Sequence, residues 1–180
     1  MIRLLIVRHG ETNSNKEKRI QGHSNENINK KGISQMKRLV PYLKNKKIDL
    51  IISSDLTRAK ESAKILAKEL DINDMKYYKI VREKNNGAFT GKKAIEIDWE
   101  SIKGTFETRK APDGESLKEV LKRTKLFLRI LKRKYQKKNI LLVSHGTFIK
   151  ILVGYMEGKN IIDSILKRRI KCGDLIEKQW

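Results

Sequence analysis

Ile2-Arg3-Leu4-Leu5-Ile6-Val7-Arg8-His9-Gly10 and Ile140-Leu141-Leu142-Val143-Ser144-His145-Gly146 share one design. Each is a short apolar run that stops abruptly at a polar residue followed by His-Gly. A continuous apolar run without alternation suits a strand covered on both faces. Ile48–Ser53 repeats the pattern and ends at Ser53-Ser54. Tyr77–Val81 and the tail Ile170–Trp180 are weaker strand candidates. Helical signals lie between. From Leu56 onward, Ala59, Ala63, Leu66 and Leu70 share one face, with Ser54 or Asp55 as the expected N-cap. From Ser116, the set Leu117, Val120, Leu121, Leu128 and Leu131 follows helical spacing, and Ser116 with Glu119 makes a capping-box signature. Gly32 to about Lys46 reads as a helix that Pro41 kinks or breaks, and Thr147–Tyr155 as another, capped by Thr147. This alternation predicts an α/β fold: a three-layer sandwich whose mostly parallel central sheet carries helices on both faces, in one domain spanning residues 1–180.

Composition narrows the class. The 180 residues suffice for one sizeable core, and the lone Cys172 excludes a disulfide framework or a multi-cysteine metal site. No apolar run is long enough to span a membrane, and Met1–Val7 lacks the features of a signal peptide, so the expected compartment is the cytoplasm. The net charge of +21 first suggests a polyanion partner. Lysines dominate it, however, at 30 against 12 arginines. Specific phosphate readers lean on the planar fork of Arg, so nucleic acid is disfavoured as a partner. The Lys-rich stretches near Lys44–Lys47 and Lys132–Lys138 read as solvated helix ends.

Ligands of open α/β sheets gather outside the carboxyl ends of the strands. Three polar clusters fall there: Arg8-His9-Gly10, Ser53-Ser54 leading to Arg58, and His145-Gly146. Two of the three histidines thus occupy equivalent places beside two arginines. Two guanidiniums and a second imidazole around His9 make a cationic pocket matched to a tetrahedral dianion. A neutral imidazole there can attack phosphorus. Anion binding alone would need the arginines but not both histidines.

These residues carry a resemblance. Leu4–Thr12 is similar to the signature of the histidine phosphatase superfamily, the phosphoglycerate-mutase-like enzymes. The resemblance continues through Asn15, Gln21-Gly22, Ser53–Ala59 with Ser62-Ala63, Arg82–Gly87, Pro112–Ser116 and Val143–Gly146, in the family's order. It implies that His9 accepts the phosphoryl group, that Arg8, Arg58 and His145 clamp its oxygens, and that Asn15 adds a hydrogen bond. Glu83, after a strand and before the loop signal Asn85-Asn86-Gly87, would protonate the leaving group and then activate water. Gln21, Gly22 and Gly146 complete the substrate side. Neither a metal nor another cofactor is required, because arginines supply the positive charge. Thr12 is read equally as a phosphate ligand or a cap, His23 as exposed, and Cys172 as a small buried residue.

The chain departs from the family pattern at Gly22–Ile28, where relatives carry an aspartate and a Pro-Leu pair, and at Ala88-Phe89. Both regions face the substrate in the family. The short stretch between Glu83 and His145 favours water access, hence a phosphatase of small phosphate esters. A phosphoglycerate mutase or sugar bisphosphatase is the first alternative, and a polyanion-binding or regulatory module on the same fold the second. A homodimer stays open.

Overall fold

The computed structural model describes residues 1–180. Its order is β1 (Arg3–Arg8), α1 (Asn13–Lys16), α2 (Lys30–Leu43), β2 (Leu50–Ser53), α3 (Thr57–Leu70), β3 (Met75–Tyr77), α4 (Leu117–Lys134), β4 (Asn139–Ser144), α5 (Gly146–Met156), α6 (Ile161–Leu166) and β5 (Leu175–Gln179). The sheet runs β3-β2-β4-β1-β5, with β5 antiparallel to β1 and the other pairs parallel.

The apolar runs behave as their lack of alternation requires. Leu4, Ile6, Ile140 and Leu142 point into a core shared with α4 and α5. Leu5, Val7, Leu141 and Val143 point the other way, against Met36, Val40 and Leu43 of α2 and Ala59, Ala63 and Leu66 of α3. All eight strand side chains are fully buried. The result is the expected three-layer α/β sandwich. No helix is long and apolar enough to cross a membrane.

Register places the site. Arg8 pairs with Ser144 and Ser53 with Val143, so β1, β2 and β4 end at nearly one level. Helix α2, which follows β1 and the short α1, packs on one face of the sheet and α5, which follows β4, on the other. The adjacent carboxyl ends of β1 and β4 therefore bound a crevice, the place where such sheets bind ligands.

Several boundaries differ from expectation. The third parallel strand is Met75–Tyr77, not Tyr77–Val81. Its partner β2 ends at Ser53, opposite Tyr77, so the chain turns into a 3-10 helix at Lys79–Val81. β2 itself starts at Leu50 because Lys47 takes a left-handed conformation. In the tail only Leu175–Gln179 is strand, since a turn at Lys171–Asp174 precedes it. α2 passes through Pro41 before tightening to a 3-10 turn at Lys44–Lys46. Ser116 and Glu119 form the predicted capping box, while Leu121 is only partly buried, at the core's edge.

Candidate active site

Arg8 ends β1, and its Nη1 donates to the Ile170 carbonyl (2.7 Å) while its buried Nε has no partner. His9 follows, with its backbone N–H bound to Ser144 O (3.0 Å), so the ring leaves the sheet beside β4. Its Nδ1 lies 2.8 Å from the Gly10 carbonyl. A carbonyl only accepts, so Nδ1 carries the proton and Nε2 keeps its lone pair. The following loop lies tightly on α2: a Cβ at Gly10 would fall 2.6 Å from Gly32 O, and one at Gly32 2.4 Å from Glu11 O. The Gly10 N–H is taken by Ser62 Oγ at 2.9 Å.

Thr12 caps α1 in a capping box with Asn15, which resolves its two readings in favour of the cap. Asn15 Oδ1 accepts from Thr12 N, Thr12 Oγ1 and Cys172 Sγ. The Asn15 amide N–H groups find no partner within the protein, and the residue lines the pocket beside His9.

Arg58 stands in the first turn of α3 and is almost wholly buried. It donates to Gly22 O (2.7 Å) and Ser24 O (2.9 Å), leaving Nε buried without a partner. Leu56, not Ser54 or Asp55, is the N-cap of α3, and no side chain caps it. Asp55 is instead held in a two-pronged pair by Arg82. His145 is fully buried, 5.1 Å ring to ring from His9, and neither of its ring nitrogens has a partner. Gln21 is buried with its side-chain oxygen unpartnered, and Gly22 takes φ +49°. Unpartnered polar atoms of this kind are costly unless a ligand completes them.

Glu83 turns its carboxylate toward the start of α5. It accepts from the backbone N–H of Thr147 (3.1 and 3.2 Å) and from its neighbour Lys84 (2.8 Å). Thr147 is therefore not the expected cap: His145 occupies the N-cap position, and Glu83 satisfies an orphan amide of the helix end. His23, expected to be exposed, is half-buried, and its Nε2 lies 2.8 Å from the Glu83 carbonyl. Arg123 reaches the same carbonyl (3.0 Å), those of Ile80 and Arg82, and the Glu115 carboxylate. Sequence reasoning missed Arg123. Its signal was a cation three residues after Val120 and four before Phe127, on the buried face of α4. Cys172 is only partly buried, since one side faces the Asn15 pocket.

Burial, then the Arg58 and Arg8 charges, hold the His9 pKa well below its usual value. Burial, then Arg58, does the same for His145. Both rings are thus neutral near pH 7. Burial also lowers Arg58, against the opposing pull of Glu83 and Glu26, yet a guanidinium stays charged.

The site has two chambers. The smaller, about 260 Å³, gathers Arg8, His9, Asn15, Gln21, Gly22, Arg58 and Glu83, with Arg19, Ile20, Asn86 and Thr147 at its walls. The larger, about 630 Å³, shares Arg8, Glu83, Asn86 and Thr147 with it and includes Gly146. Of the residues expected to bind or transfer the phosphoryl group, His145 alone lies behind the walls, against His9. No group of three or more His, Cys, Asp or Glu side chains is placed to hold a metal ion.

The family model of the histidine phosphatase superfamily (branch 1) matches residues 4–168. The chain belongs to that superfamily. Among curated proteins it is similar to the probable phosphoglycerate mutase GpmB of Escherichia coli O139:H28, 35% identical over 166 residues that cover 88% of this chain and 76% of that one. The same-named protein of Salmonella arizonae is 32% identical and covers 100% and 88% respectively. Among solved structures, Bacillus stearothermophilus YhfR superposes with a TM-score of 0.88 at 22% identity, covering 98% of this chain and 90% of that one. A mycobacterial glucosyl-3-phosphoglycerate phosphatase complexed with VO3 gives 0.83 at 22%, covering 97% and 90%. At those identities the structural likeness speaks for the fold.

Proposed function

We propose that this enzyme hydrolyses phosphate monoesters through a phosphohistidine on His9. The observation that carries the reading is the 2.8 Å contact between His9 Nδ1 and the Gly10 carbonyl. The Gly10 carbonyl takes the Nδ1 proton, leaving Nε2 as a free lone pair in a chamber where two guanidinium Nε groups lack partners.

The steps follow from the residues. A phosphoryl group in the small chamber meets the open donors of Arg8, Arg58 and Asn15, which stabilise its equatorial oxygens, with His145 packed behind His9. Nε2 of His9 forms the N–P bond as the ester O–P bond breaks, and Glu83, as general acid, passes a proton to the leaving oxygen. Water then attacks phosphorus from the vacated side, Glu83 recovers a proton, and the N–P bond breaks to release phosphate. The arginines do the electrostatic work that metal ions do in many phosphoryl transfers. Hydrolysis is favoured over isomerisation because residues 84–116, which cover the cleft, hold no helix beyond two single 3-10 turns. A mutase must keep water from the phosphoenzyme.

The curated relatives' names favour a second reading, a mutase of phosphoglycerate. The test supplies 3-phosphoglycerate and a generic aryl phosphate to the wild-type and His9→Ala proteins. Release of phosphate that vanishes with His9→Ala is expected. An isomer without free phosphate favours the mutase, and full activity of His9→Ala refutes both.

A further inference from the structure

Of the 3 histidines, His23 is the one that the phosphoryl chemistry leaves unused. It stands between Gly22 and Ser24, whose carbonyls accept from the Nη2 and Nη1 groups of Arg58 at 2.7 and 2.9 Å. These residues form a tight turn. The Ser24 N–H donates to the Gln21 carbonyl (2.9 Å), and Gly22 takes φ +49°, where a Cβ would fall 2.9 Å from the Asn86 amide nitrogen. From this turn His23 Nε2 donates to the Glu83 carbonyl at 2.8 Å, since a carbonyl only accepts. His23 lines neither chamber of the site.

The segment that carries Glu83 is anchored on other elements as well. Arg123 of α4 donates to the carbonyls of Ile80 (2.8 Å), Arg82 (2.7 Å) and Glu83 (3.0 Å), and Ser144 Oγ at the end of β4 donates to Val81 O (2.7 Å). Toward α3 it has two ties. The pair of Arg82 with Asp55 is partly open to solvent and joins side chains only. The His23 bond ends on the backbone of Glu83 itself, and it starts from the turn that Arg58 grips. It is the one hydrogen bond between that turn and the Glu83 segment.

Building on the hydrolase reading, we propose that His23 is a positioning residue, which holds the Glu83 backbone at a fixed distance from the Arg58 clamp. A phosphoryl group seated on Arg58 and His9 then presents its leaving oxygen where the Glu83 carboxyl can reach it. Proton transfer needs the two oxygens within hydrogen-bond reach, and a small misplacement from a residue outside the chemistry can cost about 100-fold. Loss of His23 leaves every donor of the phosphoryl chamber in place. What loosens is delivery of the proton, so only esters that need it are slowed.

The test measures kcat and KM for an alkyl phosphate and an activated aryl phosphate in wild type, His23→Ala, His23→Gln and His23→Asn, with a thermal melt of each. His23→Ala is expected to lower kcat on the alkyl ester on the order of 10- to 100-fold, with KM and the aryl ester nearly unchanged. His23→Gln, whose amide nitrogen stands as many bonds from the backbone as Nε2 does, should recover most of that loss. His23→Asn, one methylene shorter, should not. A merely structural role lowers both esters together, or neither, and does not tell Gln from Asn; either result overturns the proposal. Should His23→Ala fail to fold, the comparison of Gln with Asn decides. In a Glu83→Gln background, His23→Ala should not change the alkyl-to-aryl ratio further, and a full additional loss there would show that His23 acts elsewhere. A wild type that is active on both esters and indifferent to residue 23 overturns this proposal and leaves the hydrolase reading standing. A wild type that hydrolyses neither ester removes the hydrolase reading and the proposal with it.

Discussion

Ser62 joins the two halves of the phosphoryl chamber, and its loss should be felt in both. Its Oγ accepts the Gly10 N–H (2.9 Å) and donates to the Arg58 carbonyl (2.7 Å), and the side chain is fully buried. Ser62→Ala keeps helix α3 intact, because alanine is a good helix former and the Arg58 carbonyl also serves the helix ladder. What it strands is the Gly10 N–H, wedged where a Cβ would fall 2.6 Å from the Gly32 carbonyl, so the loop has no room to turn that donor to water. An unmet buried donor costs about 1–3 kcal/mol. For a chain of this size each kcal/mol moves Tm by about 2–4 °C. A fall of roughly 2–12 °C in a thermal melt is therefore expected. Gly10 also fixes the His9 tautomer through its carbonyl, so kcat should drop more than KM rises. Ser62→Cys, which keeps the volume and a weak acceptor, should recover part of both losses. A Ser62→Ala protein with unchanged Tm and kcat would show that this bond does not hold the loop.

Two further expectations concern protons. His9 and His145 are held below their usual pKa in the folded protein, so the unfolded chain binds more protons once the pH falls below about 6.5. Stability from both is present above that pH and declines as the pH falls below it; urea melts from about pH 7 to 5.5 measure the decline, and a flat profile contradicts the neutral histidine pair. Glu83→Gln should slow alkyl phosphates by about 100-fold or more while sparing an activated aryl phosphate, because only the alkoxide needs the proton. Equal losses on both would remove Glu83 from the acid role.

Much of this was legible because buried parallel strands have a plain sequence form. The runs Leu4–Val7 and Ile140–Val143 carry no polar residue, and each stops where a chemistry-bearing residue must leave the sheet. The edge strand Met75–Tyr77 was misplaced because its side chains are half-buried or exposed, so apolar content marked the wrong residues. Arg8, His9, Arg58, Glu83 and His145 do converge, as register demands of residues following neighbouring strands. The caps of α3 and α5 were misread for one physical reason. Near a site, the short-range capping rules give way to longer-range partners: Asp55 is held by Arg82, and the Thr147 amide by Glu83. His23 was expected to be exposed and Arg123 went unremarked because they act on the Glu83 carbonyl across 60 and 40 residues of chain, a relation no local spacing records.

The net charge of +21 also takes on a more specific meaning. Much of it lies on exposed lysines, but Arg8 and Arg58 in the cleft have no carboxylate partner, and a field of that sign speeds the approach of phosphate esters at low salt.

The central claim is that the phosphoryl group passes through His9. Rapid acid-free quenching of the enzyme during turnover of a phosphate ester, followed by peptide mass analysis, tests it most directly. The account predicts a base-stable, acid-labile phosphoryl group on the peptide holding His9, formed and lost at rates compatible with kcat and absent from His9→Ala. Turnover at full rate with no phosphoryl group on His9 would contradict it.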